Sequence, residues 1–563
     1  MRRKITVAIE GCCHGMLDNI YNQIQISERQ MRKKVDLLII CGDFQAIRNV
    51  TDLECMSCPD KYKQIGGFYR YYSGQKIAPV PTIFVGGNHE AGNHLRELYY
   101  GGWVAPNIYY MGNSGVVRFG GLRIGGISGI YKDFDFAKGY YEKPPFRGHS
   151  RSSMHHVRSY EAFKMLQIRR PLDIVVSHDW PQYIERFGDT QELLRKKPFF
   201  RNEVERGDLG SPVNALLLER LRPAWWFSAH MHSRFEATVD ANDSIYKQSW
   251  SDIALSNYAG QSVSADVANI TNDSEEPRNQ DEIQMGSLSD DEEPSTDIPA
   301  NNAGVIESKK PRLALSLPPP KHTSSEDVLI PVLPEATLNA ENAEPKPTLA
   351  DPRAPGRATR FLALDKCLPR RQFLEIIDMK VEESNLDNAP LQLEYDPEWL
   401  AILRICHPYM PLDTAPFIPP GDRAFSLSSV PDFPAFSDQA LETELRWVNE
   451  NVFTHGPVYI PPNFVPMAPV PPPGTPDHAS FGLANAQHNR GNGGRGGRGG
   501  RGGHRGSQQR GGGYSQGRGN YGQTDMPWDG PKPQAIYPNP QTDELCAMLG
   551  IQDRITQRRF QDN

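Results

Sequence analysis

An α/β fold, with a mixed sheet core and helices packed over it, is predicted by two features of residues 4 to about 240. Short β-branched apolar runs recur along the segment, and polar or helical stretches separate them. "ITVAIEG" opens the series and reads as a buried strand, as do "DLLIICGDF" and "PTIFVGGNHE" after it. Between the first two, Asn19 to Arg32 can wind into a helix. "VVRFGGLRIGG" has the pattern of a hairpin, which makes the sheets mixed rather than purely parallel, and "DIVVSHDW" and "WWFSAHMH" supply two further strands.

Beyond that core the text changes. Residues about 260 to 355 are acidic and then Pro-rich, with few aromatics, and are too polar to bury a core. Apolar patterning returns with "ATRFLALDKCLPRRQFLEIIDM" and continues through "DPEWLAILRICHPYM". The expected organisation is therefore a catalytic domain at 1–235, a smaller C-terminal accessory domain at 236–455 interrupted by a disordered insert, and a disordered Pro-rich and Arg-Gly-Gly tail at 456–563. Within that tail, "TDELCAMLGI" reads either as a short docking helix or as a frayed terminus.

The totals agree: 48 Pro and 49 Gly among 563 residues, with 38% hydrophobic, leave much of the chain unpacked. A net charge of -7 argues against a uniformly basic nucleic-acid binder, although local patches can differ. Eight scattered cysteines do not form a secreted disulfide scaffold, so a reducing compartment is expected. Glu10 interrupts the first apolar run, no leader cleavage site follows, and no run is long enough to span a membrane. Cys55 and Cys58 have zinc-ribbon spacing but lack a second pair, and read as loop thiols.

"VAIEGCCHGM" poses the chemical question, because a disulfide, a buried thiol pair and half of a metal site all fit a strand ending in Cys12-Cys13-His14. Four more polar clusters adjoin predicted strands: Gly42-Asp43, Gly87-Asn88-His89-Glu90, Ser177-His178-Asp179 and His230-Met231-His232. Singly each suits a turn or a surface histidine; at the strand ends of one α/β sheet all five can converge. Their order resembles the five-block pattern of the calcineurin-like metallophosphoesterases over about residues 5 to 235.

That resemblance implies a metallophosphoesterase mixed β-sandwich flanked by helices. It implies one divalent cation on Cys12, His14 and His232, a second on Asn88, His178 and His230, and Asp43 between them. His89 would be the general acid, with Glu90 orienting it. A phosphodiester anion repels hydroxide and its leaving alkoxide needs neutralising, for which two cations about 3.5 to 4 Å apart are suited. Most of the family carries Asp where this chain has Cys12. Residues 12 and 14 share one side of an extended segment and Cys13 points away, toward the core. A soft thiolate favours Fe2+ or Zn2+ over Mg2+, with Mn2+ as a substitute.

The departure at Cys12 narrows the resemblance. "GCCHG", "CGDFQAIR", "PTIFVGGNHE", "YMGNSGVVRFGGLRIGGISGIY", "SHDWP", "GSPVNALLLERLRPAWWFSAHMH" and "FLALDKCLP" together resemble the RNA lariat debranching enzymes. This implies hydrolysis of 2'-5' phosphodiesters at intron branch points in branched lariat RNA, and a nuclear location. Residues 130 to 161, rich in Tyr, Phe, Lys and Arg, would be the lariat recognition loop, with Tyr131, Phe134, Tyr140, Tyr141, His156 and Arg158 as substrate contacts through stacking and phosphate pairing. A general nuclease, and an RNA-binding scaffold with a degenerate metal site, are the rival readings. No DNA or membrane partner is expected. Arg495, Arg498, Arg501 and Arg510, with Tyr514 and Tyr521, suit auxiliary contact with RNA or with splicing proteins. Ser287 and Ser289 before "DDEE" suit acidophilic kinases, and Lys309 to Arg312 suits nuclear import.

Overall fold

Two mixed sheets face each other in the computed structural model, which describes residues 4–59, 62–245, 358–381, 391–420, 435–478 and 535–556. The first runs β12 (Leu374–Lys380), β1 (Lys4–Glu10), β2 (Leu37–Ile40), β3 (Thr82–Phe84), β5 (Ile108–Tyr110), β4 (Gly102–Ala105). Its four inner strands are parallel and its two edges antiparallel. The second runs β10 (Phe235–Val239), β11 (Thr359–Ala363), β9 (Trp225–Ser228), β8 (Ile174–Ser177), β7 (Leu122–Ile127), β6 (Ser114–Phe119), β13 (Leu393–Tyr395). There β11, β9, β8 and β7 are parallel, and β6 and β7 form the hairpin predicted from "VVRFGGLRIGG".

Strand alternation builds the layers. Ile5, Val7 and Ile9 of β1 point into an apolar layer shared with Ile124, Val176 and Phe227 of the facing sheet. Ala8 points the other way, against Leu17, Ile20 and Ile24 of helix α1 (Leu17–Met31), the helix expected at Asn19 to Arg32. On the far side, Val175, Trp226 and Phe361 are covered by the helices Ser159–Leu166, Pro212–Leu221 and Pro397–Cys406. Each fully buried Ile, Val or Leu contributes about 1.5–3 kcal/mol, enough in sum to align the strand ends that carry the polar clusters.

The C-terminal segment expected as an accessory domain shares these sheets. β11 lies between β10 and β9, β12 pairs with β1 and β13 with β6, which covers strand edges that would otherwise present unpaired backbone groups. Arg123 of β7 clamps the arrangement: its guanidinium donates to both Asp396 oxygens at 2.8 Å, to Glu398, and to the carbonyl of Arg170.

Two stretches of the expected disordered tail are ordered, which corrects that expectation. In residues 456–478 the backbone donates to the Tyr72 hydroxyl from Met467 and Ala468, and Pro469 accepts from Asn49. "TDELCAMLGI" lies in the helix Pro540–Leu549 and docks on its own chain, Gln541 pairing with both the amide and the carbonyl of Trp103. Buried Leu545 and Leu549 repay its ordering, which the flanking low-complexity text hides. The acidic insert, Ser287, Ser289, Lys309 to Arg312 and the Arg-Gly-Gly run lie outside the described residues. No described helix is long and apolar enough to cross a membrane, and no disulfide joins the eight cysteines.

Removing Arg123 takes a cation from two buried carboxylates, leaving Asp396 with Arg118 and Glu398 with the amides of Arg169 and Arg170. Arg123→Ala is expected to lower unfolding free energy by about 3–5 kcal/mol in urea titrations. A loss below about 1 kcal/mol would show that Arg118 and the neighbouring amides suffice to hold Asp396 and Glu398.

Candidate metal centre

β1, β2, β3, β8 and β9 run parallel within their sheets, so the loops that leave their carboxyl ends meet on one side of the sandwich. These loops carry Cys12 and His14, Asp43, Asn88 and His89, His178, and His230 and His232. Backbone bonds lace them together: Cys13 and His14 donate to the carbonyls of Gly42 and Asp43, and Ala229 to that of His178. His14, Asp43, His230 and His232 all take left-handed backbone angles, with φ of 45°, 46°, 59° and 45°. Each such residue costs on the order of 1–3 kcal/mol, and their concentration here marks a geometry imposed by its surroundings. Two glycines make room. A Cβ on Gly42, whose φ is +120°, would lie 2.1 Å from His178 Nδ1, and one on Gly87 would lie 2.2 Å from Asp43 Oδ1.

Asp43 sits at the middle with its two oxygens facing different partners. Oδ2 is 3.6 Å from His14 Nε2, whereas Oδ1 is 3.4 Å from His178 Nε2 and accepts the His89 amide at 2.9 Å. On one side, His14 Nε2 and His232 Nε2 stand 3.3 Å apart, and donor atoms of Cys12, His14, Asp43 and His232 all lie within 4.8 Å of one another. On the other, His178 Nε2 is 3.2 Å from Asn88 Oδ1, and the His178 and His230 rings are 5.0 Å apart. His178 Nδ1 donates to the Cys41 carbonyl at 2.8 Å, which leaves its Nε2 lone pair directed at the site. Glu90 does not reach His89 by a hydrogen bond. Its carboxylate accepts the amides of Phe44, Gln45 and Gly87, and so ties the Asp43 loop to the Asn88 loop.

The donor set fits divalent cations. Burial brings His14 down to about 4 and His230 to about 3 and lowers His232 as well, so these rings are neutral near pH 7 with lone pairs to give. Burial opposes ionisation of Asp43, but the imidazoles of His178, His89 and His14 and the His89 amide outweigh it and hold the carboxyl well below its usual range. Burial, then the charges of Asp43 and Glu10, push the Cys12 thiol far up, so a thiolate there needs a cation beside it. Cys12 Sγ also accepts the His230 amide at 3.2 Å, while Cys13 packs in the apolar layer with Ala8 and Ile20.

Residues 130–161 and the turn before them are bolted to the same loops: Gly129 donates to the Gly86 carbonyl and the Tyr131 amide to Asp179. Phe134 is 59% exposed, and Tyr131 and Tyr141 are partly exposed. Three other expected contacts are buried and paired within the protein. Tyr140 is 6% exposed and donates to Glu161; Arg158, 1% exposed, bridges Glu142 and the Asp135 carbonyl; His156 Nδ1 is held 2.7 Å from Asp135. In sequence they were indistinguishable from their exposed neighbours, since aromatic and basic types serve both uses. Unforeseen neighbours of the site are Gln45, 3.4 Å from His14 Nδ1, and Lys366, whose charge acts on His14 and His232. Lys366 arrives because its backbone bridges Cys12, a pairing over some 350 residues that no local pattern shows.

Residues 5–234 match the family model for calcineurin-like phosphoesterases, and residues 356–490 match that for the C-terminal domain of lariat debranching enzymes. The chain is 40% identical over 471 residues to the lariat debranching enzyme of Schizosaccharomyces pombe, covering 82% of this chain and 89% of the relative. It is 37% identical to that of Gallus gallus, covering 85% and 70%, and 41% identical to that of Homo sapiens, covering 71% of this chain and 53% of the human one.

Gly87→Ala forces Asp43 or His178 to move, and is expected to weaken metal binding about 10–100-fold by calorimetry while the unfolding midpoint of the apoprotein changes little. Unchanged metal affinity would show that the close packing at Gly87 does not set the site.

Proposed function

Since the chain belongs to the lariat debranching enzyme family, within the calcineurin-like phosphoesterases, we propose that it hydrolyses the 2'-5' phosphodiester at the branch point of excised intron lariats. The reaction linearises introns after splicing, and its setting is the nucleus. The observation that carries the reading is Asp43, whose two oxygens face two separate sets of imidazole, thiol and amide donors. Cys12, His14 and His232 would hold one divalent cation and Asn88, His178 and His230 the other, with Asp43 shared. When bound, the pair supplies an activated water and neutralises the charge that develops on the phosphate. The thiol donor suits Fe2+ or Zn2+, with Mn2+ as a substitute.

His89 is positioned by the hydrogen bond from its backbone N–H to Asp43, its ring 5.9 Å from that of His14, and it gives the proton to the departing 2'-oxygen. The exposed rings of Phe134, Tyr131 and Tyr141 are available to stack on unpaired bases near the branch, while Tyr140, His156 and Arg158 act as struts beneath them. DNA lacks the 2'-oxygen that forms the scissile bond. Splicing or intron-turnover proteins would engage the segments outside the sheets.

Matched branched and linear RNAs separate this reading from a general nuclease. Branched RNA is expected to be cut selectively, with His89→Ala lowering turnover about 10²–10⁴-fold; equal cleavage of both substrates would sink branch selectivity. Chelator dialysis is expected to abolish turnover and Fe2+, Zn2+ or Mn2+ to restore it. Cys12→Asp, which replaces thiolate by carboxylate, is expected to move metal preference toward Mn2+ and Mg2+ in reconstitution assays; an unchanged preference order would remove Cys12 from the ligand set.

A further inference from the structure

Beside the metal centre the backbone of Lys366 bridges Cys12, and the Cys367 amide donates to the Cys12 carbonyl at 3.2 Å. From there Cys367 to Arg371 forms one wall of an open groove of about 680 Å³, and α1 forms the other. Leu17, Ile20, Tyr21 and Ile24 take the buried face of α1, so Asn19, Asn22, Gln23, Ser27 and Gln30 face the groove as an uncharged stripe. None of these five side chains makes a hydrogen bond to another described residue, so the stripe is not explained by the fold. Across from it Arg370 is exposed, and Arg371, 45% exposed, has among the described residues only a 3.6 Å ion pair with Asp365. Leu368 and Met31 add exposed apolar surface, and the carboxylate in the lining, Glu375, has Arg234 at 3.4 Å.

The chemistry of these walls matches a single-stranded polynucleotide. Arginines suit phosphates, side-chain amides offer donors and acceptors to phosphate, 2'-hydroxyl and base edges alike, and exposed apolar groups suit base faces. From Asn19 to Met31 the wall extends about 18 Å, room for several nucleotides. We infer that one arm of the branched RNA leaves the metal centre past Lys366 and lies in this groove, between the amide stripe of α1 and Arg370 and Arg371. The inference rests on the debranching reading and adds a binding surface to which the C-terminal segment contributes one wall.

The test uses the full chain, metal-loaded, with a minimal branched RNA and with the same branch carrying extended single-stranded arms. Cleavage of the minimal branch by the wild type checks the debranching reading by itself. Affinity is expected to rise as an arm lengthens. Arg370→Ala/Arg371→Ala from one wall, and Asn22→Glu/Gln23→Glu from the other, are each expected to cut that gain about tenfold. The arginine pair should also lower the slope of log affinity against log salt by about 1.4, two single-strand phosphate contacts. Arg370→Lys/Arg371→Lys, which keeps the charge, should restore most of the gain. An arm-length gain that survives in both wall variants, with the minimal branch still cleaved, overturns the groove and leaves debranching standing. A wild type with no arm-length gain overturns it as well.

Discussion

Asp43 divides its carboxylate between two halves of one site, and much of the surrounding structure keeps that carboxylate charged, buried and in a single orientation. A buried anion in an apolar sandwich is costly unless it is surrounded by donors and cations. Here imidazoles stand on both sides, the His89 amide meets one oxygen, and Glu90 gathers three amides to pin the loop that carries Asp43. The left-handed angles at four of the proposed ligands and the tight packing at Gly42 and Gly87 follow from the same demand. Five loops must crowd around one carboxylate, and backbone strain is the cost of that crowding.

The two family regions are interleaved around this point. Strands from the C-terminal segment cover the β1 edge and enter the second sheet between β9 and β10. The turn between β11 and β12 then passes directly under the loop that carries Cys12 and His14, where a Cβ on Gly11 would lie 2.1 Å from the Asp365 carbonyl. The Cys12 loop therefore rests on chain that lies more than 350 residues away in sequence. A folding defect in the C-terminal segment would be felt at Cys12 and also in residues 130–161, where Gly139 and Tyr140 donate to the carbonyls of Asp413 and Pro411.

Much of the core was legible because short β-branched apolar runs in this chain coincide with buried strands, and because clusters of polar residues sit immediately after them. "ITVAIEG", "DLLIIC" and "DIVVS" became β1, β2 and β8, and the polar residues that follow each now face one another. Helix α1 was visible from its apolar spacing, and the amide stripe on its other face was equally present in the text but has no local meaning without an opposing wall. What stayed hidden depended on distance or burial. Arg158 and Tyr140 look like surface ligands until the carboxylates of Glu142 and Glu161 are placed against them. Lys366 is an ordinary lysine until β11 and β12 carry it beside His14. The helix at 540–549 was ambiguous because its partner strand, β4, is encoded far upstream.

That helix changes what the low-complexity stretch before it is. Residues up to 478 are held by Gly66 and Arg70 through Asp477, and residues from 535 onward are held by Asn93, Glu97 and Trp103. The Arg-Gly-Gly repeats thus stand in sequence between two stretches that are both anchored on one body. A single proteolytic cut between those stretches would not shed the C-terminal helix; it would turn it into a separate peptide bound to its own former chain. Its retention would become a matter of concentration, and dilution would release it where the intact protein cannot.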